Sequence, residues 1–342
     1  MDKLRTGIIG VGGFGAKVLT ELGRNDCFKI RAVADQNKEL AQEYGVQYEA
    51  EPYDDYRSLI VQEDLDVLFL ALPTYLCGEC INLAVQAGMH IFKEAPLGRN
   101  LPEAMQWVQQ MEKSGLHFHV SARKRFAPSY QYAHEFLTGG SLGKIYLVRG
   151  ESFIHFPESR GGFDWRGDPI LSGGGVLLEH AYHLTDQIVW NMGPPERLYS
   201  INSNFCSKQV LPPYRTEDTA VLTMNFSDGA MGNIIAGWMT GPEQERLIFH
   251  GTEGSLEVNA EGWKIFDPGG NIQKKKKYKV DESEMISLQI RQFAESLLDA
   301  EVKPVSTARE HLANVAIIES AYLSGRTQLP ESLKVYGSLF DI

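Results

Sequence analysis

The chain opens with a short apolar run at 4–9, and a glycine-rich stretch at 10–15 follows it. The apolar positions of 14–22 then fall at helical spacing, 30–34 reads as a second strand ending at Asp35, and 37–44 reads as a short helix. Residues 66–72 are almost continuously apolar and are closed by Pro73, the pattern of a strand buried on both faces of a parallel sheet. A helix is predicted at 76–87 with Gly88 as its C-cap, a strand at 90–93, a helix at 101–113 and a strand at 117–122. Such alternation implies right-handed crossovers and a doubly wound sheet. The pattern changes near residue 123. A helix is predicted at 127–137, a strand at 144–153, and a glycine-rich loop leading into a helix near 176–190. From 197 to 280 strand follows strand, with turn signals at 227–229, 251–254 and 268–270 and no helical pattern between them, which implies a mostly antiparallel sheet. Helical periodicity returns at 287–300 and 308–324. The expected fold class is α/β: a Rossmann-type doubly wound parallel sheet in 1–123, and an α+β domain with a large, mostly antiparallel open sheet in 124–342.

Composition narrows the function classes. A length of 342 residues suggests two domains. The formal charge of −11 argues against broad nucleic-acid binding, which needs a basic surface. The basic run Lys274–Lys277 follows a Pro-Gly-Gly turn and reads as a solvated strand or hairpin end. No apolar run approaches the ~20 residues that cross a bilayer. Four cysteines in a chain of this length form no disulfide framework. Cys77 and Cys80 make one C-x-x-C without a second pair, and a structural zinc wants four ligands. Free thiols, no metal site and a reducing, cytoplasmic setting are expected. The glycines of 7–15 fit a tight turn better than the apolar core of a signal peptide.

Gly10-Val11-Gly12-Gly13-Phe14-Gly15 matches G-x-G-x-x-G, and it gains weight from context: a strand before it, a helix after it, and Asp35 about 20 residues on. Gly10 permits the turn, Gly12 leaves room for a pyrophosphate, and Gly15 lets helix and strand pack closely. The helix N-terminus offers N–H groups and partial positive charge to phosphates. Asp35 would accept from the adenosine ribose hydroxyls and repel a 2′-phosphate, so NAD is favoured over NADP. Gly13, Phe14, Pro73 and Thr74 join the candidate cofactor residues. Residues 1–123 thus read as a dinucleotide-binding domain, and 124–342 as a domain for substrate binding and oligomerisation.

A second constellation follows Gly173-Gly174-Gly175. Glu179, His183 and Asp186 stand at i, i+4 and i+7, one face of a continuous helix. Carboxylates a turn away on each side favour an imidazolium at His183, a group suited to proton transfer near neutral pH. The three glycines would let a flat ligand approach the backbone. Upstream, Arg166 is placed to bind a hydroxyl or carboxylate, with Trp165 beside it to stack on a sugar. Arg123-Lys124-Arg125-Phe126 lies at the expected domain junction.

Together these segments resemble the glucose-fructose oxidoreductase / inositol 2-dehydrogenase / MocA (Gfo/Idh/MocA) family of NAD(P)-dependent sugar and polyol dehydrogenases. Segment 87–97 (AGMHIFKEAPL) is similar to the strand that ends in the family's Glu-Lys-Pro motif, which makes Glu94 a further candidate at the cofactor. Arg125-Phe126 matches the Arg-aromatic signature, and 172–186 is similar to the Gly-Gly-Gly segment and its Asp-x-Gly-x-His-x-x-Asp helix. The turns at 226–230 and 251–256 resemble the family's second domain. Three positions depart from the pattern. Ala95 replaces the motif lysine, which in the family helps move the substrate hydroxyl proton; Glu179 replaces an Asp, and Ala181 a Gly. His183 is retained. Strand alternation would place Lys93 on the side of Ala95, ~7 Å away, so Lys93 is expected to replace the missing amine in part, with Lys124 as the other candidate.

The leading expectation is an NAD-dependent oxidoreductase that moves hydride between nicotinamide and a sugar, polyol or related cyclic hydroxy compound. His183 is its acid/base, oriented by Glu179 and Asp186, with Arg166 and Trp165 holding the ring. One alternative is an NAD-retaining glycosidase or lyase with no net redox change; the relatives that work this way also carry a small apolar residue in place of the lysine. Another is a non-catalytic dinucleotide- or sugar-binding regulator. Uneven apolar alternation in 221–224 and 234–239 predicts a homodimer or homotetramer built through the C-terminal sheet.

Overall fold

A computed structural model describes residues 3–155, 163–210, 214–239 and 241–339. In chain order the elements begin with β1 (Leu4–Ile9), α1 (Gly13–Arg24), β2 (Phe28–Ala34), α2 (Lys38–Tyr48), β3 (Glu51–Tyr53), α3 (Tyr56–Gln62), β4 (Val67–Leu70), α4 (Cys77–Ala87), β5 (His90–Lys93), α5 (Leu101–Lys113) and β6 (Phe118–Val120). There follow α6 (Pro128–Thr138), β7 (Ile145–Phe153), α7 (Phe163–Arg166), α8 (Pro169–Ser172), α9 (Val176–Glu179), α10 (Tyr182–Met192), β8 (Arg197–Ser203), α11 (Phe205–Val210), β9 (Thr219–Asn225) and β10 (Met231–Gly237). The rest is β11 (Gln244–Gly251), β12 (Gly254–Asn259), β13 (Gly262–Phe266), β14 (Ile272–Lys277), α12 (Glu282–Leu298), α13 (Ala308–Thr327) and β15 (Glu331–Ser332). The chain forms two compact units, one of residues 1–97, 102–123 and 281–311, the other of 98–101, 124–280 and 312–342.

The first unit carries a parallel sheet of order β3-β2-β1-β4-β5-β6 among the described residues. Strand order reverses between β1 and β4, the place where α/β sheets bind ligands at the carboxyl ends of their strands. The strands are apolar because helices cover them: Ile8, Val33, Phe69 and Phe92 share one buried cluster with Val18, Leu19 and Leu22 of α1. Helix α12 adds Ile286, Ile290 and Phe293 to that cluster, and Phe293 meets Phe69 edge-on at 5.9 Å. This apolar stripe assigns 281–311 to the first unit, although chain order places the segment after the large sheet.

The second unit holds a sheet of order β14-β13-β12-β11-β7-β10-β9-β8-β15. It is antiparallel except where β10 runs parallel to β7, in agreement with the expected fold class. In β9, Ala220, Leu222 and Met224 are buried while alternate residues are exposed. The lysine run lies in β14, an edge strand exposed along its whole length, as its hydration demands.

Two expectations about local structure are corrected. A helix, α11, interrupts the strands between 197 and 280; the Asp218 carboxylate fixes it, accepting the Ser207 N–H at 2.7 Å and its hydroxyl at 2.8 Å. The single helix predicted near 176–190 is two, because the N–H groups of both His180 and Ala181 turn back to the Val176 carbonyl, at 3.0 and 2.9 Å.

Candidate cofactor and substrate sites

In the first unit the glycine fingerprint joins β1 to α1. Gly10 takes φ +86°, and a Cβ there would stand 2.5 Å from the Ala71 carbonyl oxygen. A Cβ on Gly15 would stand 1.8 Å from the Gly10 oxygen, so helix and turn are in backbone contact. Gly12 is different: its nearest neighbour would be Leu40 Cδ2 at 4.0 Å, and Gly13 has nothing within 4 Å. The absence of side chains at 12 and 13 therefore serves no packing inside the unit and leaves an open face at the start of α1, where the Gly15 N–H turns back to the Gly12 carbonyl at 2.8 Å and helix geometry leaves those of Gly13 and Phe14 without an intrahelical acceptor. Asp35, one residue past β2, closes the turn from behind: its Oδ2 accepts the Val11 N–H and its Oδ1 the Asn37 N–H, both at 2.9 Å. An open backbone face, free helix N–H groups and an anion fixed at the end of β2 fit a dinucleotide.

Pro73 and Thr74 follow β4 and start a short turn into α4; Thr74 is buried. Glu94 follows β5. Its Oε1 lies 3.5 Å from the Arg123 guanidinium and its Oε2 is buried with no hydrogen-bond partner among the described residues. Burial pushes this carboxyl up, against the opposing pull of Arg123. Arg123 also lies over the Phe14 ring at 4.3 Å. It thereby ties the fingerprint helix to Glu94, a link that sequence reasoning missed because a charge at a junction carries no sign of its partner.

Lys93 is not arranged as expected. β5 ends at Lys93, so strand alternation does not extend to Ala95. The side chain is 1% exposed, and Nζ donates to the carbonyl oxygens of Glu94 at 2.9 Å and Pro96 at 2.6 Å.

In the second unit the expected carboxylate–imidazole ladder is rearranged. Glu179 ends α9 and His183 is the second residue of α10, so no continuous helix joins them. Glu179 Oε2 accepts from Arg166 Nε at 3.2 Å, and the Arg166 guanidinium lies 4.1 Å over the Trp165 ring. Asp186 sits one turn after His183, but its carboxylate is buried against Arg125, with Nε to Oδ2 at 3.1 Å and Nη2 to Oδ1 at 2.7 Å. Asn314 of α13 donates to the same Oδ1 at 3.1 Å. Each carboxylate beside His183 thus has its own arginine. His183 itself is half-buried, its ring edge-on to Tyr182 at 6.1 Å. Lys124 pairs with Glu245, which also accepts the Tyr130 hydroxyl at 3.1 Å.

The three glycines also mean something other than ligand access. A Cβ on Gly173, Gly174 or Gly175 would fall 2.4 Å from the Arg99 carbonyl oxygen, 1.9 Å from the Tyr322 hydroxyl and 1.9 Å from the Glu217 carbonyl oxygen. They are small because the chain packs on them. Glu217 is a residue the sequence did not reveal: its carboxylate accepts the N–H groups of Gly175 and Leu177 at 2.8 and 2.9 Å and the Tyr322 hydroxyl at 2.9 Å. Burial raises it to about 7 in spite of those donors.

The parallel sheet, its switch point and the open glycine turn define a dinucleotide-binding Rossmann protein. Residues 4–122 match the family model described as an oxidoreductase family with an NAD-binding Rossmann fold, and 130–257 match the Gfo/Idh/MocA C-terminal domain. The chain belongs to the Gfo/Idh/MocA family of oxidoreductases, and its first domain is of the NAD-binding Rossmann type. It is 26% identical to a levoglucosan dehydrogenase of Pseudarthrobacter phenanthrenivorans over 255 residues, 68% of this chain and 65% of that protein. It is 23% identical to a myo-inositol 2-dehydrogenase of Thermotoga maritima over 77% of this chain and 75% of that one. The structure of a levoglucosan dehydrogenase in complex with NADH and levoglucosan superposes with a TM-score of 0.86 at 21% identity, covering 97% of this chain and 99% of that one. No helix among the described residues is long and apolar enough to cross a membrane.

Proposed function

We propose that the protein is an NAD-dependent dehydrogenase of a sugar, polyol or related cyclic hydroxy compound, with His183 as the group that takes the hydroxyl proton. The observation that carries this reading is the fingerprint turn: Gly12 has room in front of it that the fold does not use, and Asp35, held by two backbone N–H groups just past β2, supports the role of acceptor for ribose hydroxyls. The names of the two dehydrogenase relatives support the substrate class. NAD, when bound, supplies the hydride acceptor. Asp35 receives ribose hydroxyls and disfavours a 2′-phosphate. Gly13, Phe14, Pro73, Thr74 and Glu94 complete the cofactor-binding set, and Arg123 positions Glu94. The His183 imidazole accepts the proton of the reacting hydroxyl. Trp165, Arg166 and Lys124 face the substrate, with Glu179 fixing Arg166 and Asp186 fixing α10 through Arg125. Lys93 serves this site by holding the carbonyls of 94 and 96 rather than by offering an amine to substrate.

Ala95 favours a second reading, in which NAD is retained through a redox-neutral cleavage of a glycoside. Both readings are separated by following absorbance at 340 nm with NAD and a panel of free pyranoses, inositols and aryl glycosides. Net NADH from a free sugar or inositol supports the dehydrogenase; aglycone release without it supports the second reading. In the first case His183→Ala lowers turnover by about 10²–10⁴-fold while NAD affinity is unchanged. Full activity in that variant would exclude His183 as the base. The same reading includes a reducing, cytoplasmic setting, consistent with four cysteines present as thiols, and self-association through the large sheet.

A further inference from the structure

A cavity of about 490 Å³ lies inside the second unit, and none of the side chains assigned above to catalysis or substrate lines it. Its walls come from Gly173 and Gly174, from the end of β8 at Asn202–Asn204, from Arg215–Glu217 before β9, and from Tyr322 and Arg326 on α13. A smaller cavity of about 190 Å³ shares Gly173, Tyr322 and Arg326 and adds Arg99. The volume is that of a small-molecule site. The chemistry of the walls is amide, hydroxyl and guanidinium, with no aliphatic side chain but Pro169, and this speaks against a docking groove for an apolar segment.

Two ionisable side chains in the lining give the cavity its chemistry. Arg326 is exposed and, in a chain of formal charge −11, forms no ion pair or hydrogen bond among the described residues. Arg215 also lines the cavity and is held by Asp168 at 2.9 Å. Glu217, the acidic residue of the lining, is only 9% exposed. Its Oε1 accepts from Leu177 and Tyr322 and its Oε2 from Gly175, so Oε2 keeps a lone pair for one further donor. Tyr322 and Arg326 are one helical turn apart on α13, which keeps both on one face.

We propose that this cavity binds a small polyhydroxylated anion, a sugar carrying a phosphate or a carboxylate, whose anionic group meets Arg326 and whose hydroxyl donates to Glu217. A guanidinium is the natural partner for either oxyanion. The site is independent of the reaction proposed above, but it is tied to it in structure: Glu217 holds the backbone of 175 and 177, the start of the segment that carries Glu179.

Isothermal titration of the full chain without dinucleotide tests this, using D-gluconate, D-glucose 6-phosphate, sorbitol and inorganic phosphate as probes. The expected result is that at least one sugar anion binds ten-fold or more tightly than both sorbitol and inorganic phosphate. Which of the two binds better identifies the carboxylate or the phosphate as the natural group. Arg326→Gln, a change at an exposed position, weakens that binding at least ten-fold, whereas His183→Ala leaves it unchanged. Equal binding of sorbitol, indifference to Arg326→Gln, or loss in His183→Ala would each overturn the assignment. Turnover does not enter the readout, so failure of the dehydrogenase reading leaves this result standing.

Discussion

A methyl group at position 12 and a methyl group at position 15 have opposite meanings. At Gly12, where φ is −83° and ψ is 163°, any residue fits the backbone, and the nearest side-chain atom to a Cβ is 4.0 Å away. Gly12→Val therefore leaves folding intact and removes NAD binding, because its branches fill the space left for a pyrophosphate. Gly15→Val places its Cβ 1.8 Å from a carbonyl oxygen and cannot fold in this arrangement. Circular dichroism with fluorescence titration of NADH separates the two. A Gly12→Val protein that is folded and still binds NADH with unchanged affinity would contradict the assignment of the cofactor. The fingerprint was legible in sequence because each glycine has a fixed geometric task at a fixed spacing. At Gly173–Gly175 the pattern records only the lack of side chains, and packing against Arg99, Tyr322 and Glu217, distant in sequence, requires that lack without leaving a sign beside it.

Elements were legible where one local pattern governs them. The parallel strands, with helices on both faces, show as apolar runs, and α2, α4 and α12 fall near their expected places. The break between α9 and α10 was hidden, since hydrophobic spacing continues through a turn whose cause is two N–H groups on one carbonyl. The charges along α10 were hidden too, because a carboxylate's partner is not written beside it. Asp186 has the look of an active-site acid and instead forms a buried pair with Arg125, each side chain 3% exposed. Removing one member strands the other without compensation, at a cost of about 3–5 kcal/mol. Asp186→Ala is expected to lower stability by that amount in urea titration, and Arg125→Met together with Asp186→Ala to cost less than the sum of the two single changes. Additive effects would show that the pair is not coupled. A direct contact of Asp186 with substrate would instead raise KM and leave stability unchanged.

At the scale of the whole molecule, the open face of the large sheet and the distribution of buried titratable groups make separate predictions. Ile201 pairs with Val221, and Val221 with Ile235, so these three make one row on the side away from Leu222 and Ile234; Ile201 is 60% exposed. If self-association uses this row, light scattering gives a dimer or tetramer, and Ile201→Asp with Val221→Asp reduces it to a smaller species with the fold retained. A strict monomer before mutation would remove this part of the proposal.

Two buried groups, one in each unit, also answer acid in opposite directions. In the first, His119 is held down to about 3 by burial first, then by His117, His311 and His90 around it. Its ring packs against Phe293 at 4.6 Å, where a charge has no solvent. The unfolded chain binds a proton at the ordinary 6.5 that the folded chain refuses, so stability from this group is present above 6.5 and lost as pH falls. His90, also lowered chiefly by burial, acts with the same sign. In the second unit Glu217 is raised to about 7 from 4.5, so the folded chain holds a proton that the unfolded chain has released, and stability declines as pH rises through that interval. Glu94, raised by burial, adds to this decline from within the first unit. Each of the two main groups changes stability by about 1.4 kcal/mol per pH unit where only one state is protonated. Between pH 4.5 and 6.5 their slopes oppose, and the melting temperature of the unchanged protein is expected to vary little. His119→Asn removes the rising contribution, so its melting temperature falls with increasing pH; Glu217→Gln removes the falling one, so its melting temperature rises. Calorimetry of the three proteins across that range decides the matter, since parallel profiles would mean that neither group changes its protonation on unfolding.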